Sequence, residues 1–359
     1  MVVESIELNN YRNFESARVD FSPGVNIFYG DNAQGKTNLL ESIYLCGTSR
    51  SHRGSKDRDL IRFGEEEAHV RLQYRKDCLS HRLDIHLKKR KPKGIAVDTV
   101  PLRRSGDLLG YMHIVFFSPE DLSIIKDGPS GRRRFLDMEM SQLDKVYLTH
   151  LARYHKILVE RNNLLKQIFR FPALRDTLDG WDSQLIESGK VIIRKREEFV
   201  RELDLMMREI HGQLTGRKEE IRIHYENHSG VDDFGQLLRE KRERDISSGT
   251  TSVGPHRDDL QFLSNGIDLR KFGSQGQQRT AALSLKLSEI RMIEKATGDK
   301  PVLLLDDVLS ELDGHRQAWL LESIRDIQTM ISCTGLEDLV SSRINMDRVF
   351  HVVQGNVKI

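Results

Sequence analysis

Two short stretches carry residue types that together do phosphate chemistry. Gly30-Asp31-Asn32-Ala33-Gln34-Gly35-Lys36-Thr37 fits the spacing G-x-x-x-x-G-K-[ST]. Its glycines allow successive backbone N–H groups to turn toward phosphate oxygens, Lys36 reaches the β- and γ-phosphates, and the Thr37 hydroxyl can bind Mg²⁺. The run Val25–Tyr29 before it reads as a strand. The stretch that opens with Thr37 and Asn38 reads as a helix whose N-terminus faces the anion. The second stretch, Pro301-Val302-Leu303-Leu304-Leu305-Asp306-Asp307, is a buried-strand run ending in paired carboxylates. Laid beside the strand that feeds the glycine loop, it would bring Asp306 to the metal and Asp307 to an attacking water. A strand running into an acidic turn would give the same letters. Read together, the two stretches predict ATP and Mg²⁺ as cofactors, with residues 30–38 on the nucleotide. Lys36 and Asp307 are then the catalytic groups, and Thr37 and Asp306 the metal ligands.

The two stretches stand 270 residues apart, from Lys36 to Asp306, so something large is inserted between them. Near the end of the insertion, Ser274-Gln275-Gly276-Gln277 opens a helical stretch. Such a loop offers an anion a hydroxyl, backbone N–H groups and a helix dipole, although a polar helix cap has the same residues. Leu136, Met140, Leu143, Tyr147, Leu151, Tyr154 and Leu158 form one apolar stripe, predicting a single long helix from about residue 132. A second stripe runs from Trp181 to Ile210 after a break at Phe171-Pro172. Together they predict an antiparallel helical hairpin. Residues 68–89 read as strands, Lys91-Pro92-Lys93-Gly94 as a hairpin or loop tip, and Asn265-Gly266 as a hairpin turn. The fold class expected is α/β, a P-loop ATPase head with an inserted helical arm. Residues 1–131 and 246–359 would form the head, and 132–245 the arm.

With 359 residues, 31% of them charged and 38% apolar, the chain can bury a large core without a disulfide or structural metal. Its three cysteines are scattered and never form a CxxC pair. That pattern predicts a reducing, cytoplasmic setting. No apolar run approaches the length of a membrane span, and no secretory leader is legible at the N-terminus. The net charge of +2 conceals a division. Arg50 to Arg134 holds 20 Lys+Arg against 12 Asp+Glu, a basic lobe of +8. Within it Arg53, Lys56, Lys88, Lys89, Arg90, Lys91, Arg132 and Arg133 are candidates for DNA phosphate contact, against the plainer reading of a solvated or ion-paired surface.

The set of motifs, taken in order, resembles the RecF family of bacterial recombination mediators, SMC-like relatives of the ABC-type ATPases. The resemblance rests on Asn10-Tyr11-Arg12-Asn13-Phe14, the glycine loop, "RSHRGSKDRDLIRFG", "FFSPEDL", "GRRRFLD", "GPHRDDL", "FGSQGQQR" and "LLLDDVLSELD". It implies a homodimer that sandwiches two ATP molecules, with Ser274, Gln275, Gly276 and Gln277 reaching the nucleotide held by the other copy. It places Arg12 and Asn13 at the nucleotide. It further implies DNA as a partner, at gaps and single/double-strand junctions, and joint action with RecR and RecO-RecR to help load RecA. The sequence departs from the wider ABC pattern at three points, one being "SPED" in the neighbourhood of the Gln that transporter-type heads carry. Asp307 stands where most such heads carry Glu, and Cys333-Thr334 lies in the neighbourhood of the usual His. The shorter acid and the missing His predict slow, switch-like hydrolysis, and the resemblance implies that it is DNA-dependent. The alternatives weighed are an ABC transporter ATPase subunit and an ABC-head nuclease. His256 and Arg257 of "GPHRDD" could touch nucleotide or DNA, or simply close a turn.

Overall fold

A computed structural model describes residues 1–168, 170–335 and 346–359. Its contacts divide the chain into two units, Met1–Asp121 with Glu289–Ile359, and Leu122–Ser288.

The first unit holds two six-stranded sheets. Strands β1 (Val2–Tyr11), β2 (Phe14–Asp20), β4 (Glu67–Lys76), β5 (Leu79–Lys88), β6 (Lys91–Val97) and β7 (Val100–Pro101) form an antiparallel sheet in the order β2-β1-β4-β5-β6-β7. Alternation in β4 and β5 puts Ala68, Val70, Leu72, Tyr74, Leu83, Ile85 and Leu87 inward, as period-two side chains on a half-buried sheet must be. The second sheet takes β3 (Val25–Tyr29), β8 (Ile114–Phe117), β12 (Val302–Asp306), β13 (Thr329–Cys333), β14 (Arg348–Val353) and β15 (Asn356–Lys358) in the order β15-β14-β3-β13-β12-β8. All its pairs are parallel except β14 with β15. Its inner strands read as unbroken apolar runs because both faces are covered.

Helix α1 (Lys36–Thr48) follows the glycine loop, and from Leu39 to Thr48 every residue except Tyr44 is buried. Residues of both sheets and of α1 make one apolar core. A helix enclosed on all sides needs no polar face, which is why α1 lacks a clear amphipathic stripe. Gly47 lets it approach β8, since a Cβ there would stand 2.5 Å from Ile114 Cδ1.

The hairpin between β5 and β6 turns at Lys89-Arg90, and Lys91-Pro92-Lys93-Gly94 is strand rather than loop tip. Lys93 donates to Ser49 O at 2.5 Å and Asp57 Oδ1 at 2.9 Å, which holds this segment in the sheet.

The second unit is built on α3 (Pro129–Leu143), α4 (Lys145–Ile168) and α5 (Leu178–Leu214), preceded by α2 (Leu122–Lys126). The stripe expected to form one helix is broken at Asp144, whose backbone is extended (φ −133°, ψ 105°). Its carboxylate accepts from the N–H groups of Val146 and Tyr147 and pairs with Lys195 at 2.9 Å, so Asp144 acts as a helix cap. At 37 residues, α5 is about 55 Å long. Strand β9 (Ile221–Glu226), helices α6 (Phe234–Glu240) and α7 (Arg242–Ser248), strands β10 (Asp259–Ser264) and β11 (Ile267–Asp268), and α8 (Leu269–Phe272) complete the unit. Helix α9 (Gln275–Thr297) then leads out of it, and α10 (Gly314–Ser323) belongs to the first unit. Residues 246–288, expected in the head, group instead with the helical segment, because β10 pairs along its length with β9.

Buried arginines organise this unit. Arg161 is fully buried and donates to Asp182 (2.6 Å), Asp245 (2.9 Å) and Thr251 (2.8 Å), tying α4 to α5, to α7 and to the loop beyond. Removing the cation would leave buried Asp245 without an ion pair among the described residues and Asp182 with Arg242 alone. Arg161→Met should therefore cost about 3–5 kcal/mol, read as a lower urea midpoint at unchanged slope.

Candidate functional site

The chain leaves β3 and must reverse sharply to enter α1. Gly30 and Gly35 take φ of 147° and 118°, where side chains are strained. A Cβ would moreover meet Val352 O at 2.4 Å from Gly30 and the Asn13 side chain at 2.6 Å from Gly35. Asn13 braces this loop, donating to Gln34 O at 2.9 Å and accepting from Asn38 Nδ2 at 2.8 Å. Lys36 Nζ lies against the loop, donating to Gly30 O at 2.5 Å and Asp31 O at 2.8 Å. Burial lowers its pKa, and nearby Asp307 and Asp306 pull the other way.

Strand β12 delivers the carboxylates, but not from beside β3 as expected, because β13 lies between the two. The gap is closed from the helix side. Thr37 Oγ1, in the first turn of α1, donates to Asp306 Oδ1 at 2.8 Å. Ser332 Oγ, near the end of β13, donates to the same oxygen at 2.6 Å. Asp307 follows in the left-handed region (φ 54°), its N–H shared between Ser332 O (3.2 Å) and Ser332 Oγ (3.1 Å). Burial first, and the Asp306 charge second, raise the Asp307 pKa.

Together these groups line a cleft of about 290 Å³, with Asn32, Ala33, Gly35, Asn38 and Arg53. The donor set fits Mg²⁺. A carboxylate and a hydroxyl supply hard oxygen ligands, and Asp306 Oδ2 has no hydrogen bond among the described residues.

Arg53, expected on a DNA-facing surface, is exposed and also lines this cleft. What delivers it is Glu41, a residue sequence reasoning missed. Glu41 is buried in α1, where burial works against its charge but the bonds from Arg12 and Ser51 outweigh it and leave its pKa low. Ser51 donates to it at 2.5 Å, and Arg12 grips it at 2.8 and 3.0 Å while also reaching Ser55 and Asp59 O. Arg12 is thus engaged in holding the 51–59 loop and is not among the residues lining the cleft. The legible signal for Glu41 was an acid flanked by the apolar residues Leu39, Leu40 and Ile43.

In the second unit, Ser274 and Gln277 form a reciprocal cap on α9. Ser274 Oγ accepts from Gln277 N at 3.2 Å, and Gln277 Oε1 accepts from Ser274 N at 3.0 Å. Gln277 Nε2 also donates to Glu219 at 3.4 Å. Ser274, Gln275 and Gly276 are exposed.

The DNA candidates separate by environment. Lys88 and Lys89 pair with Glu67 and Glu66, whereas Arg90 and Lys91 are exposed at the hairpin turn with no ion pair among the described residues. Lys56 is exposed. Arg132 is not available to phosphate. It is buried, holding Asp259 at 2.6 and 2.9 Å and the carbonyls of Ile124 and Asp127. Half-buried Arg133 donates to Asp258 O.

The Gly254–Asp259 motif proves architectural. Pro255 O accepts from buried Arg196, Asp258 accepts from Tyr225, Arg196 and His228 N, and Arg257 donates to Thr251 O. His256 sits between Tyr154 Oη (2.7 Å) and Thr251 O (3.0 Å), and burial pushes its pKa down to about 4. An unfolded histidine takes its proton near pH 6.5, so between these values the unfolded chain binds more protons and stability falls as pH falls. The loss should reach about 2 kcal/mol by pH 5, and His256→Gln should flatten that part of the stability–pH curve.

Comparison with known proteins adds sequence and fold relatives. The model described as the RecF/RecN/SMC N terminal domain matches residues 2–358. The DNA replication and repair protein RecF of Lachnoclostridium phytofermentans is 56% identical over 358 residues, covering 100% of this chain and 99% of the relative. A solved structure described as the recombination mediator protein RecF-ATP in the RecFOR pathway superposes with a TM-score of 0.92 at 38% identity, covering 99% of this chain and 97% of the other. An SMC head bound to the C-terminal winged-helix domain of ScpA shares the fold, at a TM-score of 0.57 and 17% identity, covering 100% of this chain and 96% of that one.

Proposed function

The chain belongs to the RecF family of SMC-like ATPases, and from that premise we propose that it is an ATP-gated recombination mediator of DNA repair and replication restart. ATP would bind at the 30–38 loop, and two copies would close on two nucleotides and on gapped or junction DNA. In that closed state the exposed Ser274–Gln277 loop of each copy would meet the γ-phosphate held by the other. RecR and RecO-RecR are the proposed protein partners, with RecA loaded downstream. The observation that carries this reading is the Thr37–Asp306 hydrogen bond, which joins the phosphate loop to the carboxylate strand across 269 residues.

The residues assign the steps. Lys36 would leave the carbonyls of Gly30 and Asp31 for the phosphates, giving the loop a state with nucleotide distinct from the one without it. Thr37 and Asp306 would hold Mg²⁺, which when bound offsets phosphate charge. Asp307 would orient the attacking water and take its proton, its raised pKa favouring the acceptance. Its side chain is one methylene shorter than Glu, so turnover is slow and ATP acts as a timer. Arg90, Lys91 and Lys56 are the exposed cations proposed to meet DNA phosphates, while Arg53 serves the nucleotide.

Lys36→Arg should weaken ATP-dependent dimerisation and DNA binding together. Asp307→Asn should bind ATP and persist as a dimer, with hydrolysis lower by about 10²-fold or more. Sedimentation with and without ATP and gapped DNA, alongside phosphate release, checks both. Wild-type hydrolysis by the Asp307→Asn protein would remove Asp307 from its role.

A further inference from the structure

We infer that Ser332 is the positioning residue of the hydrolytic centre, a single hydroxyl that sets both the Asp306 carboxylate and the Asp307 backbone. The inference rests on the ATPase reading above. Parallel pairing of β12 with β13 brings Asp306 opposite Ser332, and Ser332 is 2% exposed. A serine hydroxyl has one proton and two lone pairs. The proton goes to Asp306 Oδ1 at 2.6 Å, and a lone pair receives the Asp307 N–H at 3.1 Å. Both bonds use different capacities of one oxygen, so both can persist together.

The consequences reach the chemistry. Asp306 Oδ1 already receives Thr37, so the second bond from Ser332 fixes the carboxylate plane and leaves Oδ2 directed away from both donors as the oxygen for metal. Thr37 would bind Mg²⁺ through a lone pair while its proton stays hydrogen-bonded to Asp306 Oδ1, and Ser332 would hold the same oxygen with a second proton. Asp307, meanwhile, occupies a backbone region that strains a non-glycine residue unless its surroundings hold it there. Ser332 contributes two of the restraining acceptors, its Oγ and its carbonyl. The neighbourhood in which an ABC-type head carries a phosphate-sensing His thus holds in this chain a serine that acts on the carboxylates.

The test compares Ser332→Ala with Ser332→Thr in the full chain. Three quantities are read: single-turnover ATP hydrolysis, binding of a fluorescent ATP analogue titrated with Mg²⁺, and amide exchange of residues 305–310 without nucleotide. Ser332→Ala should lower hydrolysis and raise the Mg²⁺ requirement by about 10–100-fold, the scale of lost support around a metal ligand, while Mg²⁺-free binding changes little. The Asp307 amide should exchange faster in Ser332→Ala, and Ser332→Thr should restore all three. Wild-type exchange and Mg²⁺ requirement in Ser332→Ala would overturn the inference, as would a Ser332→Thr protein no better than Ser332→Ala. If the wild-type chain itself failed to hydrolyse ATP, the function proposed above would fall, and amide exchange alone would still decide the role of Ser332.

Discussion

Everything at the nucleotide cleft depends on one carboxylate oxygen. Asp306 Oδ1 receives hydroxyls from Thr37 and Ser332, which come from α1 and β13 and lie 269 and 26 residues away in the chain. That three-way contact requires β13 to sit between β3 and β12, α1 to lie across the strand ends, and both neighbouring strands to run parallel to β13. Parallel pairing places all the carboxyl ends of the strands on one edge, which is where phosphate sites form in such sheets. The antiparallel sheet makes the arrangement rigid by covering the opposite side of α1, so the helix that presents Thr37 is packed all round.

Much of this was readable from residue types because the phosphate loop and the carboxylate strand are local patterns. A glycine at positive φ, a lysine and a threonine at fixed spacing need no tertiary context to be recognised, nor does an apolar run that ends in two aspartates. The long amphipathic stripes likewise announced the helices. What stayed hidden was set by partners distant in sequence. Asp144 broke the first stripe because it caps a new helix and pairs with Lys195, and apolar periodicity continues undisturbed across such a break. The position of β13 between the two motif strands has no local signature either, since either strand order presents the same buried runs.

The basic lobe shows the same limit for charge. Counting treats Arg53, Arg90 and Arg132 alike, yet one lines the nucleotide cleft, one is exposed on a hairpin turn, and one is buried against Asp259. Burial of an arginine is tolerated only with paired acceptors, so an Arg that follows an apolar helical face is more informative about its acid partner than about a ligand. Arg132, Arg161 and Arg196 each have that partner. The excess of positive charge available to a polyanion is accordingly smaller than +8 and concentrated where no acid stands nearby.

Asp307 is the point at which backbone and chemistry meet. The departure from glutamate looked at first like a matter of reach, one methylene fewer between backbone and water. The φ of 54° supplies a second reason. Among residues other than glycine, aspartate and asparagine are several-fold enriched in the left-handed region, since a short polar side chain can bond locally there. Ser310 Oγ does so, donating to Asp307 O at 2.9 Å and approaching Oδ1 at 3.4 Å. A glutamate would keep the Ser310 bond to the main-chain carbonyl, lose the contact at Oδ1, and carry its carboxylate further into the cleft. The turn held by Ser332 and Ser310 therefore suits the shorter acid, and the slow hydrolysis proposed for this chain would follow from how the strand ends. The proposed turnover rate and the backbone geometry would in this sense be one constraint, expressed at adjacent residues.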